Sequence, residues 1–133
     1  MKIELTKEQS QHLISLGVPK EKASGINTDN FDNIILLAAE AIANGNGDKT
    51  IRSLSSPIFK LEDFLNGEIL PKEIETKNGD VWLDIQMMND GVCVSYEYTG
   101  HGGCIGYGEG DELIDALYSL ACWYYGEYLK REI

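Results

Sequence analysis

The sequence predicts an α+β fold in which an antiparallel β-meander of three to four strands packs on a long C-terminal helix, with an N-terminal helical subdomain. The apolar residues follow a helical spacing over residues 6–43, a spacing of two over residues 72–108, and a helical spacing again after residue 111. With 133 residues, of which 43% are hydrophobic, a single domain is expected. Its parts would be the helical subdomain 1–43, a linker 44–58 and an α-β-β-β-β-α core 59–133.

The first helix is predicted from its two ends. Thr6 and Gln9 form a capping-box pattern, in which each side chain can bond the other residue's backbone N–H. Gly17 can supply the left-handed residue that ends a helix. Pro19 suits the first turn of a short second helix that would end near Ser24.

The segment before the sheet is predicted to hold two more helices. The longer one would run from residues 28 or 29 to 43 and end at the Asn- and Gly-rich residues 44–47. The linker 44–58 is rich in Gly, Asn and Ser. A short helix is expected over residues 60–66, with Gly67 ending it.

The meander is predicted from alternation and turn residues. A strand over residues 73–77 precedes Asn78-Gly79, a dipeptide typical of a type I′ hairpin, whose two turn residues both have positive φ. Further strands are expected over residues 81–87, 92–98 and 104–108, with one apolar face and one mixed face. The core residues expected in this half are Leu83, Ile85, Val94 and Leu117.

The last helix is expected to begin at Asp111 as its cap, with Glu112 and Asp115 favourably placed near its positive end. Its apolar residues recur at spacings of three and four, which predicts a helix with one buried side. These residues are Leu113, Ile114, Leu117, Leu120, Ala121 and Tyr124.

Charge is unevenly distributed along the chain. Residues 61–133 hold 15 acidic and 4 basic side chains, which accounts for the whole formal charge of -11. No Lys or Arg occurs between Lys77 and Lys130. A field of this sign repels nucleic acids and anionic membranes and attracts basic proteins. We therefore expect a protein partner with a basic surface, and we expect Asp84 and Glu97, on the polar face of the sheet, to contact it.

Three cysteines without a C-x-x-C pair indicate reduced thiols rather than a disulfide framework. The N-terminus lacks the apolar run of a signal peptide, and the longest apolar stretch, residues 34–43, is too short to span a bilayer. These features predict a cytoplasmic protein.

The segment 100–110 contains six glycines in eleven residues. It could bind a small molecule, but it matches neither the dinucleotide nor the P-loop spacing. It could instead be a strand whose glycines let another backbone approach. His101 is a candidate binding residue, and with Cys104 it could begin a metal site or a thiol–imidazole pair. Further ligands at suitable spacings are lacking, so no metal, cofactor or catalytic residue is expected.

Aromatic residues crowd the last helix. One helix cannot direct all of them into one core, so some should contact a neighbouring helix or a partner. The sequence leaves intramolecular packing and an interface, including self-association through this helix, as alternatives. The candidate interface residues are Trp123, Tyr125 and Tyr128.

Residues 5–19, 70–74 and 113–117 resemble, in the same order, a set of small proteins from gut bacteria and their phages. That resemblance implies a phage or mobile-element setting and no catalytic activity. Gly103-Cys104-Ile105, Gly110-Asp111-Glu112-Leu113 and Ala116 are more weakly similar to HicB-type antitoxins. That family implies strands followed by a helix, in a partial ribonuclease-H fold.

The function predicted from these features is that of a non-enzymatic accessory protein of a phage or mobile element that binds a protein partner. One alternative is an antitoxin-like inhibitor of a basic RNase. The other is a small ligand-binding or hydrolytic enzyme that uses the Gly-rich segment 100–110.

Overall fold

The computed structural model describes residues 1–27, 39, 42–45, 56–100 and 102–131. Their fold is α+β, as predicted: a four-stranded antiparallel sheet packs against the C-terminal helix, and an N-terminal helix is added. Most of the predicted third helix and of the predicted linker lies outside the described residues.

The N-terminal helix α1, Lys7–Leu16, begins and ends where the sequence predicts. The Gln9 N–H donates to Thr6 Oγ1 at 3.1 Å, and the Thr6 N–H donates to Gln9 Oε1 at 3.0 Å. Gly17 ends the helix with φ at 115°. The short second helix is a single 3₁₀ turn, Lys20–Lys22.

A small two-stranded sheet, which the sequence did not predict, follows. Strand β1, Gly25–Asn27, pairs antiparallel with β2, Ser56–Ile58, at the end of the predicted linker. Pro57 fits there because β2 is bonded to a strand on one side only in the described sheet. The short helix α2, Leu61–Leu65, then begins where the Lys60 N–H donates to Asp63 Oδ2 at 2.8 Å.

The main sheet contains β3 (Glu73–Thr76), β4 (Gly79–Met88), β5 (Gly91–Tyr98) and β6 (Cys104–Gly110), in that spatial order. The prediction of a type I′ turn at Asn78-Gly79 is wrong by one position. Thr76 and Gly79 are paired, so Lys77 and Asn78 form the turn. Gly79 takes the positive φ, at 127°, and no non-glycine residue among those described has one.

The C-terminal helix α3, Leu113–Trp123, continues through a π-helical segment, Tyr124–Tyr128, and a last turn, Leu129–Arg131. Its cap is Glu112 rather than the predicted Asp111. The Asp115 and Ala116 N–H groups both donate to the Glu112 carbonyl at 3.1 Å, which places the first helical turn one residue later.

Helix α3 lies directly on the backbone of β6. Gly106, Gly108 and Gly110, here called the glycine strip, pair with Tyr96, Val94 and Val92 and face the helix. A methyl group on Gly108 would overlap the backbone of the helix, and one on Gly106 would overlap an indole ring. The interpretation of the Gly-rich segment as a strand closely approached by another backbone is confirmed for residues 104–110. The buried residues at this interface are Val92, Val94, Tyr96, Ile114, Ala116, Leu117, Leu120 and Ala121.

The predicted core is corrected at one strand. Val94 and Leu117 are fully buried, whereas Leu83 is half-buried and Ile85 is 41% exposed. The helix packs on β5 and β6, and the short β3 reaches only the first part of β4. The second half of β4 therefore extends beyond the core.

Candidate functional site

The face of the sheet turned away from α3 gathers acidic and aromatic side chains. Alternation along β4 places Trp82 and Asp84 on this face, and cross-strand pairing adds their neighbours on the other strands. We call this surface the acidic face. Its members are Glu73, Glu75, Asp80, Trp82, Asp84, Gln86, Cys93, Ser95, Glu97, Cys104, Tyr107 and Glu109.

Trp82 occupies the middle of one row across the face. It is paired with Glu73 on β3 and with Glu97 on β5, and its side chain is 47% exposed. Directly opposed residues have Cβ atoms about 4.5–5.5 Å apart. The indole therefore lies between two carboxyl-bearing neighbours.

The next row joins Asp84, Ser95 and Tyr107 across three strands. Ser95 is small and buried, while the Tyr107 ring is 59% exposed. Tyr107 alternates with two residues of the glycine strip, so the same alternation that admits the helix on one face presents a phenol on the other. The two rows together place two exposed aromatic side chains, on β4 and β6, among the carboxylates of the face.

The acidic face has no cation from its own strands, because residues 78–129 contain no Lys or Arg. Loss of hydration raises the pKa of the Glu73 carboxyl, and the nearby Asp80 charge, a hydrogen bond with Asp80 and the Glu75 charge raise it further. At Glu73, repulsion between like charges thus adds to the effect of lost hydration.

The same field acts on a cysteine. Burial first, then the charges of Glu109, Cys104, Glu97 and Asp84, raises the pKa of the Cys93 thiol. A raised pKa reduces the thiolate fraction and makes the thiol a poor nucleophile. The carboxylates of the acidic face thus add to the effect of burial on the Cys93 thiol.

At one end of the sheet, the face continues into an open cleft of about 270 Å³. It lies between the turn joining β4 to β5 and the start of α3. Three carboxylates, Asp90, Glu109 and Asp111, line it together with Met88 and Val92. The cleft extends the acidic surface towards the helix.

Among the predicted binding residues, the structure brings Asp84 and Glu97 together on the acidic face. His101 lies outside the described residues, so its site is not described; Cys104 is exposed, opposite Glu97. Within the described part of the chain, no three His, Cys, Asp or Glu side chains are grouped so as to hold a metal ion.

The predicted aromatic residues lie on the opposite side of the sheet from Asp84 and Glu97. Trp123 lies against Gly106, and the Tyr125 hydroxyl donates to the Ile69 carbonyl at 2.7 Å. Tyr128 stacks on Tyr124 with ring centroids 5.5 Å apart. All three candidates are half-buried against their own chain, so the intramolecular alternative accounts for their contacts.

Sequence reasoning did not select three residues of this site: Trp82, Tyr107 and Glu109. The alternation in β4 already placed Trp82 beside Asp84. Selecting Tyr107 and Glu109 requires the register of β6 against β5. The sequence predicted β6 as a strand but did not predict that register.

No protein-family model, curated protein or solved structure matched the chain. Among the helices of the described residues, none is long and apolar enough to cross a membrane.

Proposed function

We propose that the protein is a non-enzymatic binding domain whose acidic face contacts the basic surface of a protein partner. The observation that carries this proposal is the row in which the exposed Trp82 lies between Glu73 and Glu97. Aromatic side chains are frequent anchors of protein interfaces, and an indole also attracts Lys and Arg through its π face. Carboxylates beside it would add charge complementarity.

Two further observations favour binding over catalysis. The glycine strip, the part of the Gly-rich segment that lies in β6, provides close packing for α3. The Cys93 thiol has a raised pKa, which opposes its use as a nucleophile. The setting we propose remains that of a cytoplasmic accessory protein of a phage or mobile element.

A second candidate is an antitoxin-like inhibitor of a basic RNase. The observation that favours it is the order of β4, β5, β6 and α3, in which consecutive strands are followed by a helix. The HicB-type likeness implies that order, and an acidic face would suit a basic toxin.

Affinity capture from a host lysate with quantitative mass spectrometry tests the proposal. The test variant combines Asp84→Asn with Glu97→Gln, which removes two charges from the acidic face and keeps the side-chain shapes. The matched control combines Glu4→Gln with Glu21→Gln, which removes two exposed charges from the N-terminal half. We expect wild type and control to capture the same basic protein and the face variant to lose it.

Kinetics on the captured partner then sharpen the test. Attraction between the acidic face and a basic surface should make association slower as salt rises, because the screening length is about 8 Å at physiological ionic strength. A partner that binds the face variant at the wild-type rate would contradict the proposal. An RNase activity in the partner that the protein inhibits would select the antitoxin-like candidate.

A further inference from the structure

We propose that the second half of β4, residues 84–88, binds an extended segment of the partner as an added β-strand in which apolar and basic residues alternate. The inference rests on the proposed function and specifies its binding mode. We call residues 84–88 the free edge.

On one side of the free edge, no described residue bonds to its backbone. Strand β3, which pairs with β4 on that side, begins opposite Trp82. The last described backbone hydrogen bond on that side runs from the Leu83 N–H to the Lys72 carbonyl, at 3.0 Å. Backbone groups of successive residues point to opposite sides of a strand. The N–H and C=O groups of Ile85 and Met87 therefore point away from β5, and no described residue pairs with them.

The side chains of the free edge define what an added strand would need. Ile85 and Met87 lie on the helix side of the sheet, where α3 does not cover them, and are 41% and 76% exposed. Asp84 and Gln86 lie on the acidic face. An added strand would place apolar residues beside Ile85 and Met87 and its alternate residues beside the acidic face, where Lys or Arg would gain charge complementarity.

The free edge lacks features that commonly block strand addition. Exposed edges are commonly protected by Lys, Pro or a bulge. Strand β4 contains neither Lys nor Pro, and the register shift of the sheet lies between β5 and β6. An edge with exposed apolar side chains on one face is suited to pairing with another chain.

The charge of the chain favours another protein, rather than a second copy of this chain, as the occupant of the free edge. Two copies paired through their free edges would bring together two acidic halves in a protein with a formal charge of -11. Like charges repel at that range, whereas a basic segment is attracted. The occupant we infer is therefore a basic extended segment of another protein.

Fluorescence anisotropy with two labelled peptides tests the inference. Both contain about nine residues, a typical strand length, and have the same Lys and Val composition. In one peptide Lys and Val alternate, and in the other they are grouped in blocks. We expect the alternating peptide to bind wild type about tenfold more tightly than the block peptide, since only alternation satisfies both faces.

Variants then test the backbone contact. Met87→Pro removes an N–H that points to the open side and leaves the bonds to β5 in place, whereas Met87→Ala keeps that N–H. We expect the proline variant to weaken binding of the alternating peptide about tenfold and the alanine variant to weaken it less than about threefold. Far-UV circular dichroism and thermal melting test whether both variants are folded. Ile85→Lys, which adds a repelling charge at the same edge, repeats the test if the proline variant is unfolded.

The outcomes separate this inference from the proposed function. Equal binding of the two peptides, or full binding by both Met87→Pro and Ile85→Lys, overturns strand addition. The acidic face remains supported in that case if Asp84→Asn with Glu97→Gln still abolishes capture of the partner. Wild-type sedimentation that shows dimers, lost in Met87→Pro, would instead assign the free edge to self-association and overturn the inferred occupant.

Discussion

The contact between α3 and β6 predicts that Gly108→Ala strongly destabilises the fold. A Cβ atom at this position would overlap the carbonyl oxygen of Ala116 and the amide nitrogen of Leu120. Both are backbone atoms of a helix whose other side is packed, so a change of side-chain rotamer cannot relieve the overlap. The helix must shift away from the sheet, which loosens its contacts with the buried core.

The expected magnitude follows from measured costs of overpacking. An added methyl group in a packed core costs about 1–3 kcal/mol, and a backbone collision belongs at the upper end. A loss of about 3 kcal/mol is a large fraction of the roughly 5–15 kcal/mol that stabilises a domain. With a urea m-value of about 2 kcal/mol/M, the unfolding midpoint should fall by about 1.5 M.

Urea denaturation followed by far-UV circular dichroism measures this shift. Gly126→Ala is a matched control, because its added Cβ would lie 3.6 and 3.8 Å from the two methyl carbons of Leu16, which is ordinary contact. Replacing a helical Gly by Ala gains up to about 1 kcal/mol, so the control should be neutral or stabilised. If Gly108→Ala unfolded within about 0.5 kcal/mol of wild type, the direct packing of α3 on the glycine strip would be refuted.

Three further predictions concern stability. Ser10→Ala leaves the buried Phe59 N–H, now 3.1 Å from Ser10 Oγ, without an acceptor and should cost about 1–3 kcal/mol in urea titration, whereas the exposed Ser15→Ala should cost much less. Val94→Asp should abolish cooperative thermal unfolding, and Ile85→Asp should not, because Val94 is fully buried and Ile85 is 41% exposed; equal effects would contradict the assigned core. Burial, then a hydrogen bond with Cys122, raises the pKa of the Tyr118 hydroxyl to about 12. The protonated hydroxyl therefore contributes fully to stability below the unfolded tyrosine pKa of about 10, and this contribution is lost as pH rises through 12. The urea midpoint should therefore fall between about pH 10 and 12, and a midpoint that rises there would refute the shift.

Local sequence signals predicted most elements of the fold because each depends on few residues. Thr6 with Gln9 determines the start of α1 by two mutual hydrogen bonds, and strict alternation over β4 and β5 can be read without any distant contact. A hairpin after β3 was predicted, but its turn lies one residue earlier, because Gly79 adopts its positive φ inside the strand pair.

The candidate site was only half accessible to sequence reasoning. Asp84 and Glu97 could be assigned to the polar face because alternation within each strand determines the face. Their relation to Trp82 and Tyr107 depends on cross-strand register, which a one-residue slip would change completely. The exposure of Ile85 was not predicted for a related reason. It depends on how far β3 extends along β4 and on where α3 packs, and both are set by long-range contacts.

The two faces of the sheet differ in what determines their residues, and this difference allows many carboxylates on one of them. The helix side contains the glycine strip and the buried core, so packing determines its residues. On the acidic face Ser95 is buried but the aromatic rings are exposed, so the carboxylates are not needed for packing. Repulsion between the carboxylates lowers the stability of the free protein. Loss of hydration, and then this repulsion, raise the pKa of the Glu73 carboxyl. Stability should therefore increase as pH falls through the folded-state pKa of Glu73, and the gain should be complete below its unfolded-state pKa.

A basic partner would relieve the same repulsion without a change of pH. Binding to the acidic face should therefore stabilise the fold, and the increase in melting temperature at saturating partner should be larger at low salt than at high salt. Asp80→Asn removes one source of the repulsion, so it should return the Glu73 pKa towards its ordinary value and reduce this salt dependence; carboxyl-detected NMR titration and differential scanning calorimetry measure the two effects. A stabilisation that is independent of salt in the wild-type protein would place the partner away from the acidic face.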